Sequence, residues 1–458
     1  MTLTKDAAQS TSVIPNGIAP FQTYNESGYS SNGPVSLAYP NYIYPASEAF
    51  IEALGALNVP IVADLNLGDN VGTKQEPLTL NAEQERVSAY DGYYKPVRNR
   101  TNLTVMPLAR VQQVILENRN ATLTATGVIF IDSVSGSTLN VTASKEVILS
   151  AGVFQTPQLL MLSGIGPQKI LQDFGIPEYL INENVGRNMQ DHCYFSVIAR
   201  CEASTSASQL FNRIDLLQTA QQKYTNNHSG PLTSPIGPAY GFQKIPQVDL
   251  QTLGIAEALS NRLNQAHIEY LWEAIYFPAE PSTTLPQYPP NLNESFMSLT
   301  AALIAPVSRG NVTLRSNNIQ DAPVINVNYL ESEVDQQVAL YAFHNLRNIL
   351  SQPVLANFTM GPDYGEVVPG ANITDDATLL EYIKSELITV WHGSGTARML
   401  PQSDGGVVDN RLKVYGVQGL RIVDASIFPV IPDQHIQAAV YMVAEKAAAM
   451  IKQDFGFS

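Results

Sequence analysis

The sequence of 458 residues predicts a mixed α/β fold with more than one domain. The first observation is its length, because roughly 100 to 200 residues per domain is usual. The second is a series of short β-branched runs between residues 101 and 151, which leads into a helical pattern. The third is the region 191–385, where strands, proline-rich loops and one long helical stretch mix without a repeat. We therefore expect two or three domains.

The N-terminal part predicts a loop, a short strand and a helix. The first 35 residues are rich in Ser, Asn, Gly and Pro and have no period, which is typical of a loop. The run "GPVSLAYP" predicts a short strand. The run "SEAFIEALGAL" (47–57) predicts an amphipathic helix with Ser47 as its N-cap.

Residues 101–166 predict strands followed by a helix. The strand patterns are "NLTVMPL", "ATLTATGVIFID", "STLNVTA" and "KEVILSAG", with "VSGS" as a hairpin turn. The last of them is apolar at successive positions, which indicates a strand buried on both faces. The run "QTPQLLMLSGIG" then predicts a helix with Thr156 at the N-cap, Pro157 at the first position and Gly164 at its end.

The second half predicts two long helices. The first is "ESEVDQQVALYAFHNLRNILSQ", within the region 191–385. Near the C-terminus "GLRIVDASIFPV" predicts a strand and turn, and "IQAAVYMVAEKAAAMIKQ" follows. Apolar residues recur there every three or four positions, as in a core helix.

Composition and charge exclude several classes of function. Apolar residues make up 45% and charged residues 15%, which is typical of a globular protein. The net charge of -15 argues against nucleic-acid binding, because that binding depends on Lys and Arg at phosphates. No window has the roughly 18 apolar residues of a membrane span, and the N-terminus lacks the apolar segment of a signal peptide. Small-molecule chemistry fits this composition best.

Ten Asn-x-Ser/Thr triplets indicate a secreted, glycosylated protein. Chance occurrence in an Asn- and Thr-rich chain remains the alternative. The acceptor residues are Asn25, Asn99, Asn102, Asn120, Asn140, Asn227, Asn293, Asn311, Asn357 and Asn372.

The two cysteines, Cys193 and Cys201, lie in "CYFSVIARC", which alternates like a strand. At about 3.3 Å per residue their ends would be roughly 26 Å apart, so a disulfide would need a hairpin between them. We expect both to be free, buried apolar side chains.

Two positions carry candidate chemistry. Gly152 follows a predicted strand and precedes a helix, where a backbone can approach a ligand, although an ordinary βα crossover has the same pattern. His392 lies in "VWHGSGTARM" and is by itself either a site residue or a core histidine. No Gly-x-Ser-x-Gly and no His-Glu-x-x-His occurs, so a serine hydrolase and a zinc site are not supported, and we expect no metal.

Several segments together resemble one family. Residues 152–166 resemble the second signature of the glucose-methanol-choline (GMC) oxidoreductases. The resemblance continues, in the same order, in "GPVSLAYPNYIYP", "VGRNMQDH", "SRGNVTLRS", "WHGSGTARM" and "LRIVDASIFPVIPDQHIQAAVYMVAEKAA". It covers nearly the whole chain. The resemblance implies FAD as cofactor, an alcohol as substrate, and oxygen or a quinone as electron acceptor.

The resemblance also implies roles for individual residues. His392 matches the catalytic base of the family, and His435 matches the second active-site position. A neutral imidazole can take the hydroxyl proton while hydride leaves the carbon. The flavin and ribityl contacts implied are Asp424, Ala425, Ile436 and Gln437, and Val111 matches the residue whose backbone meets the adenine.

The resemblance further implies a fold of two domains. A discontinuous, incomplete Rossmann-like FAD-binding domain would comprise 80–190 and 386–458. An antiparallel-sheet substrate domain would comprise 33–79 and 191–385, with 1–32 as a loop remnant. No Gly-x-Gly-x-x-Gly opens a helix in these 458 residues, although that turn holds the FAD pyrophosphate.

The missing glycine turn gives two hypotheses. The first is that the chain is the C-terminal portion of a secreted enzyme, with the turn and the signal peptide in a preceding segment. The second is a truncated paralogue without catalysis that serves as a binding or regulatory module. The oligomeric state stays open.

Overall fold

The computed structural model describes residues 10–11, 21–25, 29, 33–211, 213–262, 265–277 and 293–457. The chain forms two compact units. The first unit comprises Met1–Arg98, His192–Val307 and Ser332–Val390, and the second comprises Asn99–Asp191, Ser308–Glu331 and Trp391–Ser458. The mixed α/β class is confirmed.

The strands are numbered in chain order. They are β1 (Ser10–Thr11), β2 (Ser36–Leu37), β3 (Gly72–Gln75), β4 (Ala109–Arg119), β5 (Thr122–Asp132), β6 (Thr138–Thr142), β7 (Val147–Leu149), β8 (Ile165–Gly166), β9 (Leu180–Ile181), β10 (Arg187–Met189), β11 (Cys193–Cys201), β12 (Ala239–Gln243), β13 (Ile268–Glu273), β14 (Ser295–Leu303), β15 (Gly310–Thr313), β16 (Val324–Asn326), β17 (Glu366–Val368), β18 (Ile388–Thr389) and β19 (Leu420–Ile422).

The α-helices are numbered in the same way. They are α1 (Pro45–Ala56), α2 (Gly152–Leu162), α3 (Gln168–Asp173), α4 (Ile214–Asn227), α5 (Gln247–Thr252), α6 (Glu333–Leu350), α7 (Pro353–Ala356), α8 (Asp376–Glu386) and α9 (Gln437–Asp454). A short 3-10 turn, Ala425–Ile427, follows β19.

The first unit is built on an antiparallel sheet. Its strand order is β17-β11-β14-β13-β12-β3, and β18 also pairs with β11. Helices α1 and α6 pack on one face, where the ring of Phe195 in β11 stacks on Phe343 of α6 at 6.3 Å between centroids. Every residue of β14 is buried, so both faces of this strand are covered.

The second unit combines small sheets around one core. Strands β4, β5 and β6 form an antiparallel sheet, β10, β15 and β16 form another, and β7 pairs with β19 in parallel. Helix α2 packs on β4 and buries Leu160, Met161 and Leu162 in the core. The parallel pair β7 and β19 brings the region after residue 149 next to the region after residue 422, although 273 positions of sequence separate Leu149 from Ile422.

Several predicted elements are confirmed. Strands occur within "ATLTATGVIFID", "STLNVTA" and "KEVILSAG", and the turn between β5 and β6 contains Gly136 at a φ of 71°. Helix α6 has Ser332 as its N-cap, and the hydroxyl of Ser332 accepts a hydrogen bond from the Val334 amide. Cys193 and Cys201 are both buried, and neither is in a disulfide, as expected.

Other predicted details were wrong. "NLTVMPL" forms no strand and its side chains are exposed; the strand begins at Ala109. The N-cap of α1 is Tyr44, and the Ser47 hydroxyl donates to the Tyr44 carbonyl oxygen from inside the helix. Helix α9 buries only Val443 and Ala447, fewer positions than its apolar period predicted.

The division into units differs in detail from the predicted boundaries. Residues 80–98 belong to the first unit, whereas the prediction placed them in the FAD-binding domain (80–190). Residues 308–331 belong to the second unit, whereas the prediction placed them in the substrate domain (191–385). The reason for the second difference is β15, which pairs with β10 of the second unit. Residues 1–20, most of the predicted loop remnant, lie outside the described residues except for Ser10 and Thr11.

Candidate active site

The second unit brings two histidines together. The imidazole rings of His392 and His435 meet edge to face, with 4.8 Å between ring centroids and 83° between planes. His392 is 6% exposed, whereas His435 is exposed. The pair therefore combines one buried imidazole with one that solvent can reach. The sequence predicted these two residues as the catalytic pair, and the structure places them in contact.

Burial determines the protonation of His392. Loss of hydration on burial and, to a smaller extent, the nearby His435 together lower the pKa of His392 from its ordinary value to about 3. The ring is therefore neutral at neutral pH. A neutral imidazole has one nitrogen lone pair that can accept a proton.

The turn that carries His392 is fixed on both sides. Trp391 has a φ of 59°, a left-handed conformation that is uncommon for a bulky residue, and its side chain is 71% exposed. The amide of His392 donates to Asp191 Oδ1 at 2.9 Å. The backbones of Gln190 and Ser394 exchange two hydrogen bonds, at 2.9 and 2.8 Å. Local strain of this kind is typical of functional sites.

Asp424 holds the N-terminal end of α2 in place. Its Oδ2 accepts hydrogen bonds from the Gly152 amide at 3.0 Å and from the Thr156 hydroxyl at 2.6 Å. Its Oδ1 accepts from the Ser426 amide at 2.8 Å. The helix therefore begins at Gly152, four residues before the predicted N-cap Thr156, which lies inside it. The carboxylate supplies the cap from a distant part of the chain.

Pro157 lies inside α2 and not at its first position as predicted. A proline has no N–H, so the carbonyl oxygen of Val153 lacks its helical partner. The hydroxyl of Thr396 donates to that oxygen at 2.7 Å. The "WHGSGTARM" segment is thereby attached to the first turn of the helix.

The remaining predicted cofactor residues lie in three different parts of the second unit. Ala425 is half-buried, and its carbonyl oxygen accepts from the Gly395 amide at 3.2 Å. Ile436 directly follows His435 and is the N-cap of α9, and Gln437 is the exposed first residue of that helix. Val111 lies in β4 opposite Phe130 and packs against the core of the unit.

Three residues at this site were not predicted. Gln190 and Asp191 belong to "VGRNMQDH", which carried the resemblance, but that motif assigned them no role. Tyr329 donates its hydroxyl to Asp191 Oδ2 at 2.5 Å. Only the folded chain could indicate Tyr329, because nothing in its surrounding sequence marks it.

Open space and buried polar atoms near the N-terminus of α2 indicate whether a cofactor could fit there. Gly152 has a φ of 79°, and nothing lies within 4 Å of the position that a Cβ would occupy. Within the described residues, the buried hydroxyls of Ser394 and Ser426 have no hydrogen-bond partner. Open space beside an amide-rich helix start suits a flat polar group.

Two negative findings apply to the described part of the chain. No cluster of His, Cys, Asp and Glu there could hold a metal ion. No helix there is long and apolar enough to cross a membrane.

Comparison with known proteins identifies the family. The GMC oxidoreductase N-terminal domain matches residues 17–194, and the C-terminal domain matches 306–444. The dehydrogenase pkfF of Emericella nidulans is 34% identical over 435 residues, which are 94% of this chain and 69% of that protein. The chain belongs to the GMC oxidoreductase family. It spans about two thirds of the length of the curated relatives it matches.

Solved structures of GMC-type flavoproteins resemble the fold. An FAD-dependent oxidoreductase from Chaetomium thermophilum has a TM-score of 0.81 at 28% identity, covering 95% of this chain and 76% of its own. A fungal aryl-alcohol oxidase has a TM-score of 0.79 at 26% identity, covering 94% and 75%. The chain is thus an FAD-dependent oxidoreductase by family, and FAD is the cofactor of that family.

Proposed function

We propose that this GMC family member oxidises an alcohol at the histidine pair. The carrying observation is the contact between the neutral, buried imidazole of His392 and the accessible imidazole of His435. His392 accepts the hydroxyl proton, and His435 holds the substrate oxygen by a hydrogen bond. When bound, FAD supplies the acceptor for the hydride of the alcohol carbon. Oxygen or a quinone is the final electron acceptor.

The low pKa of His392 has a consequence for this mechanism. Because burial holds that pKa near 3, the imidazole does not keep a proton in the free protein. The ring is therefore in the neutral form that can accept the hydroxyl proton of a substrate.

The residues present fit the flavin-ring half of FAD. Gly152 offers open space at the start of α2, and the turn from Asp424 to Ser426 lies against the same helix. Both Asp424 oxygens accept protein hydrogen bonds, so we propose that Asp424 shapes the flavin site through α2, while Ala425, Ile436 and Gln437 face the ring and ribityl chain. Val111 is proposed to meet the adenine by its backbone.

The test is flavin reduction by alcohols in the full chain supplied with FAD. Aryl and aliphatic alcohols are compared under anaerobic conditions, and the loss of flavin absorbance reports reduction of the flavin. His392→Ala should abolish bleaching at unchanged FAD binding. His344→Ala is the matched control, because His344 is exposed, pairs with Asp376 and lies in the first unit. Normal bleaching in His392→Ala would refute the base assignment.

A second candidate is a binding or regulatory module without catalysis. One observation favours it: the 458 residues contain no Gly-x-Gly-x-x-Gly turn for the FAD pyrophosphate. Titration of the chain with FAD separates the candidates. Stoichiometric binding supports the oxidoreductase, and an absence of binding at excess FAD supports the module.

We propose further that the protein is secreted and glycosylated. Of the ten acceptor asparagines, all except Asn311 are exposed, and Asn311 is half-buried in β15. Glycosylation of exposed sites is sterically possible without unfolding. Treatment of the natural protein with an N-glycosidase should increase its electrophoretic mobility. An unchanged mobility would contradict this proposal.

A further inference from the structure

Two adjacent residues contact the two loops that carry the histidines. Gln190 is 1% exposed. Its Nε2 donates to the Pro429 carbonyl oxygen at 3.3 Å, and its Oε1 accepts from the Ile431 amide at 3.3 Å. These two positions lie in the loop that leads to His435. One side-chain amide thus satisfies both a donor and an acceptor of that loop.

Asp191 serves the other histidine. It is 6% exposed, and its Oδ1 accepts the His392 amide at 2.9 Å. Tyr329 donates to its Oδ2 and orients the carboxylate. A carboxylate that accepts a backbone amide makes a strong, charge-assisted hydrogen bond. This bond holds the peptide that follows the left-handed Trp391.

The backbone between these side chains is equally constrained. Gln190 pairs with Ser394 by two hydrogen bonds. Gly395 leaves room for the Gln190 side chain, because a Cβ at residue 395 would be 3.0 Å from Gln190 Nε2 and 2.9 Å from the Asn188 carbonyl oxygen. The contacts to both histidine loops therefore begin from one short, fixed segment.

We propose that Gln190 and Asp191 form a clamp that sets the separation and angle between the imidazoles of His392 and His435. Both are positioning residues, because each side chain acts on the histidine loops through hydrogen bonds to their backbone groups. The importance of the clamp for catalysis rests on the proposed function. The effect of the clamp on the distance and angle between the two rings does not rest on that function, because only contacts within the protein define it.

The test is the ring-to-ring nuclear Overhauser effect in the full chain with isotope-labelled histidines. The six histidines are assigned by single replacement. We expect Gln190→Ala and Asp191→Ala to abolish the cross-peak between His392 and His435. We also expect the pKa of His392 to rise toward its ordinary value of about 6.5, as the ring becomes hydrated. Asp191→Asn should keep the cross-peak, because its Oδ1 still accepts the amide.

Matched controls separate positioning from general loss of packing. Gln158 is 3% exposed and donates to the Asp321 carbonyl oxygen at 2.8 Å in the same unit. Asp335 is 3% exposed and accepts the Val307 amide at 2.8 Å in the first unit. We expect Gln158→Ala and Asp335→Ala to leave the cross-peak unchanged. If Gln190→Ala does not fold, Gln190→Met retains the side-chain volume and serves in its place.

The outcomes decide the proposal without reference to turnover. A cross-peak that persists in both clamp variants, or that is lost equally in Gln158→Ala, overturns it. If the clamp variants lose the cross-peak but His392→Ala still reduces flavin normally, the clamp stands and the catalytic assignment fails. If the cross-peak persists and His392→Ala is inactive, the proposed function stands without the clamp.

Discussion

The carboxylate of Asp424 accepts the hydroxyl of Thr156 at 2.6 Å across 268 positions of sequence. The same oxygen accepts the Gly152 amide. These hydrogen bonds therefore hold the start of α2 against the turn after β19, the two segments that we propose lie beside the flavin.

Asp424→Ala should destabilise the protein by about 3 kcal/mol, because two buried donors and one half-buried donor lose a charged acceptor. Thr156→Val removes one donor and should cost about 1 kcal/mol. Urea unfolding of both variants measures the difference. Equal midpoints for the two variants would show that the carboxylate does not cap the helix.

Ser394→Ala should leave stability unchanged or raise it by about 1 kcal/mol. The hydroxyl of Ser394 is buried without a partner among the described residues, and removing an unsatisfied polar group relieves its desolvation cost. Ser163→Ala is the matched control, because the Ser163 hydroxyl donates to Leu159 and accepts from Val114. Thermal unfolding should show a loss only in the control. A comparable loss in Ser394→Ala would indicate an additional partner.

Gly395→Ala should be more destabilising than Gly152→Ala. Both glycines have positive φ, so both substitutions strain the backbone by about 1 kcal/mol. Only residue 395 would also clash, with the Asn188 carbonyl oxygen and the Gln190 amide, whereas residue 152 faces open space. We expect a further cost of about 2 kcal/mol at residue 395. Chemical unfolding measures it, and equal effects at both positions would contradict the geometry.

His267→Asn should flatten the acid side of the stability curve. His267 is 2% exposed, its Nδ1 accepts the Ile245 amide, and burial lowers its pKa to about 4. The unfolded chain binds a proton at about pH 6.5, so stability is full above that pH and falls as the pH drops toward 4. The loss should be on the order of 1–3 kcal/mol. Asparagine can still accept the hydrogen bond from the Ile245 amide but does not titrate in this pH range. If the dependence of stability on pH were the same in the variant and the wild type, the low pKa of His267 would be refuted.

Glu273→Gln should act in the opposite direction. Glu273 accepts the Thr300 hydroxyl at 2.9 Å, and burial raises its pKa to about 7. The folded protein therefore holds a proton that the unfolded chain releases above about pH 4.5. Stability from this group is full below that value and is lost as pH rises to about 7. We expect the glutamine variant to gain stability relative to wild type over this range. A constant difference across the range would contradict the raised pKa.

Local patterns predicted the elements whose partners are near in sequence. The hairpin of β5 and β6 follows from its β-branched runs and the "VSGS" turn, and helix α6 follows from one helical stretch, each within about twenty residues. The start of α2 could not be predicted in this way. Its cap comes from Asp424, and the carbonyl oxygen freed by Pro157 is satisfied by Thr396, both more than 200 positions away.

The run "NLTVMPL" shows that a local pattern can also predict an element that does not form. Its β-branched residues predicted a strand, but a strand needs a partner backbone, and the side chains of 102–108 are exposed. The exposed surface of α9 is a second example, because apolar period alone does not determine what covers a helix.

The sequence by itself determined the family and the two candidate histidines, because motif residues are matched by identity and order along the chain. Only the tertiary structure decided that His392 is buried against His435, that Asp424 caps α2, and that Gln190 and Asp191 contact both histidine loops. These are distances and burial between distant segments. They set the protonation and geometry of the site, and they exist only after the chain has folded.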